Sequence, residues 1–170
     1  ITSDNERTMN TYLGSSAKLD VNDISLDLIK NSDYLLIEGY LVSSDQTLKV
    51  CRKAIEFSRD NQTKIVLTLS DPNIVKFFRD NILSLLKEKI DFIFCNELEA
   101  KYFSQTNTIK EALTFLKRFA ERVVVTLGNK GAVYTDSSNN HIVDGIDVES
   151  KDFTGAGDMF LGAFMHKFKS

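Results

Sequence analysis

Basic clusters, histidines, cysteine motifs and long apolar runs are all scarce in this 170-residue chain, and each scarcity removes a class of function. The 21 Lys and Arg are scattered and outnumbered by 24 Asp and Glu, giving a net charge of −3. That pattern offers no electrostatic footprint for nucleic acid. His141 and His166 are too few for a histidine-based metal site, and nothing signals a Ser-His-Asp arrangement. Cys51 and Cys95 stand far apart and outside any metal-ligand spacing. They fit a reduced, cytosolic protein better than a disulfide framework, and are expected as small buried hydrophobes. No apolar run approaches the roughly 20 residues that cross a bilayer, so no membrane-spanning segment is expected. The chain opens at Ile1 with no Met, and the residues there are not expected to be a secretory signal. With a strand-like opening and a helix scarcely complete at Ser170, the chain reads as an internal fragment of a longer protein. What remains, 42% hydrophobic and 26% charged, is the composition of a globular domain with a real core.

Strand and helix patterns alternate along the chain, with no internal repeat and no low-complexity linker. Residues Arg7 to Leu13 alternate in polarity as a half-exposed strand would. Val21 to Asn31 has helical spacing, and Tyr34 to Glu38 reads as a buried strand closed by Gly39. Asp45 to Arg59 predicts a helix, and Lys64 to Leu69 a strand. Asp71 and the only proline, Pro72, open another helix, Asp at the cap and Pro at the first helical position, with a break expected at Asn81. Phe92 to Phe94 predicts a strand, Asn96 to Phe103 and Thr108 to Ala120 helices, and Arg122 to Leu127 a strand. Ala132 to Thr135 and His141 to Val143 flank a polar turn, as in an antiparallel hairpin at a sheet edge. Such alternation through short loops predicts an α/β fold, with a mostly parallel sheet covered on both faces. Ligands of such sheets sit beyond the carboxyl ends of the strands, so the loops after Phe94, Leu127 and Ile146–Val148 are expected to converge.

The most informative run is Asp152-Phe153-Thr154-Gly155-Ala156-Gly157-Asp158, leading into Met159-Phe160-Leu161-Gly162-Ala163-Phe164-Met165. Its glycines let the backbone turn tightly and approach a ligand. The free N–H groups at the start of the following helix form an anion site, with the Asp158 carboxylate beside it. That pairing suits phosphoryl transfer to a hydroxyl: amides hold developing charge while the carboxylate takes the proton. The alternative is a tightly packed helix start with Asp158 as a first-turn charge. Phe160, Leu161, Phe164 and Met165 cover several sides of this helix, which is therefore expected to be packed in the interior, with Asp158 at a buried helix start.

This run resembles the second signature of the ribokinase/PfkB carbohydrate-kinase family, D-[TS]-x-G-A-G-D, whose last residue is the catalytic base. Thr154 and Gly155-Ala156-Gly157-Asp158 match, whereas Phe153 stands where the family has a small hydroxylated residue. Asn96-Glu97-Leu98-Glu99 is similar to the family's N-x-x-E motif, in which Glu organises Mg²⁺ through water and Asn reaches nucleotide phosphate. Mg²⁺ is commonly held by few carboxylates with waters and phosphates. The same pair also reads as an N-cap with its capping-box partner. Thr126-Leu127-Gly128-Asn129-Lys130-Gly131 resembles the T-x-G-x-x-G nucleotide loop and is not a Walker loop; it also reads as a plain strand-to-hairpin turn. Glu6 to Gly14 looks like the lid region, where Arg7 either neutralises charge on the transferred group or is a solvated edge-strand residue. Ile37-Glu38-Gly39-Tyr40-Leu41 is similar to adenosine-kinase-like bacterial members.

The resemblance implies a three-layer α/β/α core over residues 17–170 and part of a β lid over residues 1–16. It implies an ATP- and Mg²⁺-dependent kinase acting on a sugar or nucleoside hydroxyl in the cytoplasm. Asp158 would be the base, the amides of Gly155, Ala156 and Gly157 the anion hole, and Arg7 a charge neutraliser. Asn96, Thr126, Gly128, Gly131 and Thr154 would meet the nucleotide and Glu99 the metal. The resemblance leaves room for a homodimer through the lid. The rival readings are a non-catalytic nucleotide-sensing module that kept the fold and a dehydrogenase, which would need a third Gly three residues after Gly157 and an acidic residue about 20 positions on.

Overall fold

The computed structural model describes residues 12–149 and 152–169. Helix α1 (Leu26–Lys30) precedes strand β1 (Tyr34–Glu38). Then follow α2 (Asp45–Asp60), β2 (Lys64–Thr68), α3 (Pro72–Leu85) and β3 (Ile90–Asn96). Next come α4 (Glu97–Ser104), α5 (Ile109–Leu116) and β4 (Ala120–Thr126). Strands β5 (Ala132–Thr135) and β6 (Asn140–Val143) and helix α6 (Ala156–Lys169) complete the described elements. Local chemistry starts the helices. Ser44, Asp71, Asn96 and Thr108 each accept an amide hydrogen bond at the head of α2, α3, α4 and α5, which satisfies one orphan donor per helix.

The six strands lie in the order β1-β2-β3-β4-β5-β6. β1 to β4 pair in parallel, and β5 and β6 continue as an antiparallel hairpin. Crossovers between parallel neighbours share one hand, so a sheet that grows in one direction carries all its connecting helices on one face. The core shows this. Ile65, Leu67, Ile93, Cys95, Val123 and Val125 point into the layer of α2 to α5. The alternate residues Val66, Phe92, Phe94 and Val124 point the other way, toward Phe160, Leu161, Phe164 and Met165 of α6. Both faces are covered, as expected, but the second by α6 alone among the described residues.

That placement corrects the expected environment of α6. The helix presents one apolar stripe to the sheet and has no fully buried residue, and Met159 on its outer side is 75% exposed. Several other boundaries also moved. The helix expected over Val21–Asn31 is two pieces, a one-turn 3-10 segment Val21–Asp23 and α1. Asp20 and Ser25 each cap a separate start, and such side-chain caps compete with a continuous helix. The break in α3 falls at Phe78 (φ −123°, ψ 24°), not at Asn81, whose side chain donates to the Val42 carbonyl at 2.9 Å. Helix α5 stops at Leu116, four residues before the expected Ala120, because the backbone turns through Phe119 into β4, which starts at Ala120 and not at the expected Arg122. Among the described residues β1 is the outermost strand, and its Leu36 and Glu38 are exposed rather than buried. Of the expected lid strand, residues 7–11 lie outside the described residues, while Tyr12 and Leu13 are irregular and lead into a 3-10 turn at Gly14–Lys18. Among the described residues no helix is long and apolar enough to cross a membrane.

Candidate active site

Four parallel strands end on the same side, and their carboxyl ends open into a cleft of about 290 Å³. β1 contributes Glu38 and the following Tyr40, and β2 contributes Thr68 and Ser70. β3 and the head of α4 contribute Phe94, Cys95, Asn96 and Glu99, and β4 contributes Thr126. The far wall is the start of α6: Phe153, Gly155, Gly157, Asp158, Phe160 and Leu161. The sheet alone would leave this cleft open on one side. Helix α6 closes it because its apolar stripe docks on Phe92, Phe94 and Val124, which sets its amino end over the strand ends.

The loop before α6 is shaped by local bonds. Asp152 accepts from the Thr154 amide (2.8 Å) and hydroxyl (2.6 Å), and Gly155 takes a left-handed φ of +76°. Gly155 has nothing within 4 Å of an added Cβ, so its role is the turn itself. The Ala156 amide, expected in the anion hole, instead donates to the Phe153 carbonyl at 3.2 Å. The amides of Gly155, Gly157 and Asp158 have no protein partner among the described residues. An α-helix leaves its first N–H groups unsatisfied, so these remain for an anion. The Asp158 side chain, on the cleft wall, is exposed among the described residues and not buried as the sequence suggested.

Asn96 and Glu99 do form the capping box that the sequence allowed. The Asn96 amide and side-chain nitrogen donate to the two Glu99 carboxylate oxygens at 2.9 and 2.7 Å, and the Glu99 amide donates to Asn96 Oδ1 at 2.8 Å. Capping and cleft position therefore coincide in one pair. Glu99 is only 5% exposed, and burial pushes its carboxyl up to about 7, helped by the nearby Asp71 charge and opposed by the hydrogen bond from the Asn96 backbone. The folded state thus binds a proton there that the unfolded chain has released above about pH 4.5. Stability from this group is therefore full below about pH 4.5 and lost as pH rises to about 7. In metal-free buffer, Glu99→Gln is expected to remove a decline on the order of 2–3 kcal/mol between pH 5 and pH 8. Urea unfolding at the two pH values checks this, and an unchanged slope in the variant rules it out.

The Thr126–Gly131 turn only partly meets the expectation of convergence. Thr126 reaches the cleft, but Gly128 and Gly131 stand outside its wall. Both have positive φ, +62° and +98°. A Cβ on Gly131 would overlap the Val143 carbonyl oxygen and crowd the Gly145 amide. The glycine lets the chain after β6 lie directly on the turn. Residues 144–149 form no strand, and Ile146 and Val148 are exposed. Gly131→Ala adds a strained φ to a backbone clash and is expected to cost at least about 2 kcal/mol in urea unfolding. An unchanged unfolding midpoint would refute the close approach.

The cleft thus gathers Asn96, Glu99, Thr126, Gly155, Gly157 and Asp158. It leaves Gly128, Gly131, Thr154 and Ala156 off its wall, and Arg7 lies outside the described residues. Sequence reasoning did not single out Thr68, Ser70, Phe160 or Leu161 as lining residues. Thr68 had a usable signal, a polar side chain at a strand's carboxyl end, and Ser70 had none. Cys51 and Cys95 are buried free thiols, as expected, and burial raises both thiols, that of Cys95 far above its ordinary range.

Fold and cleft together define a three-layer α/β/α protein with its site at the carboxyl ends of parallel strands and at a helix amino end. The chain belongs to the pfkB family of carbohydrate kinases, which it matches over residues 1–170. It is 31% identical over 143 residues to the ribokinase of Haemophilus influenzae, covering 81% of this chain and 43% of that protein. Its structure superposes on the adenosine kinase of Sinorhizobium meliloti with a TM-score of 0.93 and 30% identity, over 99% of this chain and 52% of that one. A protein assigned as a Ribokinase II from E. coli, solved in complex with ATP and Mg²⁺, matches with a TM-score of 0.80 and 26% identity, over 89% and 50%. The chain spans about half the length of these relatives.

Proposed function

We propose that the protein transfers the terminal phosphoryl group of ATP to a hydroxyl of a sugar or nucleoside. The observation that carries this reading is the meeting of Asp158 and the amides of Gly155 and Gly157, which have no partner among the described residues, with Asn96, Glu99 and Thr126 in one cleft. In the reaction, the acceptor oxygen forms a bond to phosphorus as the bridging bond to ADP breaks. The acceptor proton passes to the Asp158 carboxylate. The amides of Gly155 and Gly157, at the positive end of α6, hold charge on the transferring oxygens. The Ala156 amide is given no part, since it is bonded to Phe153. Thr126 at the end of β4 supports a nucleotide phosphate or ribose contact, and the turn carrying Gly128 and Gly131 supplies exposed backbone beside it. Thr154 acts through its bonds to Asp152, which hold the loop in shape. Arg7 remains a proposed charge neutraliser from the lid.

Mg²⁺ fits the donor set in a particular way. Among the described residues no cluster of acids, histidines or cysteines forms a direct metal cage. Glu99 is fixed by Asn96 and faces the cleft, a donor set suited to an ion that keeps waters and takes other ligands from phosphates. When bound with ATP, the ion would neutralise phosphate charge. Two buried free thiols support a reducing, cytoplasmic setting, and a homodimer through the lid remains part of the proposal.

The test is ATP turnover with Mg²⁺ by the full protein that contains this chain, across adenosine, ribose, fructose and other sugars. Phosphorylation of one acceptor establishes the reading and names the substrate. ATP binding without transfer to any acceptor would replace it with a nucleotide-sensing module.

A further inference from the structure

We propose that Ser70 is a positioning residue that clamps the ends of β1 and β2 together and so fixes Glu38 and Tyr40 on the wall of the cleft that holds Asp158. This rests on the kinase reading to the extent that the cleft is taken as the acceptor site. Ser70 has a φ of +67°, a left-handed conformation that a serine adopts at a cost. The Asp71 amide donates to the Leu69 carbonyl at 2.8 Å, closing a three-residue turn around it. With positive φ at its centre, that is the rare and strained form of the γ-turn. Backbone geometry alone would select glycine here. What glycine lacks is the hydroxyl, and the hydroxyl makes two hydrogen bonds. Ser70 Oγ accepts from the Gly39 amide at 2.7 Å and bonds to Thr68 Oγ1 at 2.7 Å.

The other side of the joint is equally constrained. A Cβ on Gly39 would come within 2.7 Å of the Leu69 carbonyl oxygen and 2.9 Å of that of Thr68. The two chains therefore touch backbone to backbone where they leave the sheet. The Tyr40 hydroxyl donates to the Ser70 carbonyl at 3.3 Å. Ser70 thus holds the main chain of Gly39 through its side chain and the phenol of Tyr40 through its main chain. Glu38, Tyr40, Thr68 and Ser70 all line the cleft, so a shift of this joint moves one wall relative to Asp158. Strain that persists at such a place is retained for what it positions.

Ser70→Gly separates the two contributions, because it removes the hydroxyl while relieving the backbone. In the full protein, amide hydrogen exchange at Gly39 is expected to quicken by about tenfold, the scale of one net hydrogen bond. The KM for the acceptor is expected to rise by about tenfold or more, while that for ATP changes by less than about twofold. A purely structural serine would leave the acceptor KM untouched in the relieved variant, and that result overturns the proposal. Unchanged Gly39 exchange overturns it as well. Should the unsubstituted protein phosphorylate no acceptor, the kinase reading fails by itself, and the clamp stands or falls on the exchange measurement.

Discussion

Asp158→Asn in the full protein is expected to lower kcat by at least about 100-fold, the contribution of a positioned general base. The substitution keeps size and polarity but removes the proton acceptor. In this chain the Asp158 side chain is exposed, so here the substitution costs little stability. The main loss is its favourable charge at the amino end of α6, about 0.3–1 kcal/mol. The KM for ATP is expected to move by less than about threefold, since nucleotide contacts are assigned to other residues. Steady-state kinetics beside a thermal melt separate these outcomes. Full turnover in the variant would remove Asp158 from the mechanism, whereas a collapsed melt would mean that the residue holds the fold.

The largest expected effect on stability is at Phe92. Its side chain is 0% exposed and lies at the centre of an aromatic cluster with Tyr34, Phe94, Phe164 and Phe168. Arg122 sits over both the Phe92 and Phe168 rings at 5.3 Å. Phe92→Ala is expected to cost about 3–5 kcal/mol, from lost transfer energy and the cavity left behind. The cost has a direction. Helix α6 is held to the sheet by one stripe, so removing the ring it packs on should loosen α6 before the rest of the molecule. Phe103→Ala is the matched control. Phe103 is equally buried but packs with Phe115 and Phe119 in the opposite layer. A similar loss of stability is expected there, with amide protection of α6 close to that of the unsubstituted protein. Equal loosening of α6 in both variants would contradict the two-core description. Because α6 carries Gly157 and Asp158, Phe92→Ala is also expected to reduce turnover without touching the cleft.

Much of the architecture follows from local pattern. The runs Lys64–Thr68 and Ala120–Thr126 are short, apolar and rich in β-branched residues, which suits strands buried on both faces. Asp71 before Pro72 and Asn96 before Glu97 mark helix starts through bonds that span only a few residues. The Gly155–Asp158 run and the Asn96–Glu99 pair were legible for the same reason, since spacing along one turn of chain fixes which groups can meet. In sequence, Asn96–Glu99 supported both a cap and a metal site, and the fold shows the cap with its carboxylate also on the cleft wall.

Tertiary structure decided what depends on partners distant in the chain. Apolar residues on several sides of the last helix suggested burial all round, but only the stripe that meets Phe92 and Phe94 is covered, because the strand order sends every connecting helix to the other face. Among the described residues, that same order leaves Asp158 exposed and α6 as the helix that closes the cleft. The strained turn at Ser70 had no local signal, because serine acquires its value there only when the Gly39 amide arrives from the turn after β1, 31 residues earlier in the chain. The sequence by itself determined the strands, the helix caps and the residues able to do chemistry, since each rests on neighbours in the chain. The fold alone decided which of them share a cleft, how buried each carboxylate is and which backbone must bend to bring them together. Those outcomes are set by packing between elements that the chain brings together only on folding.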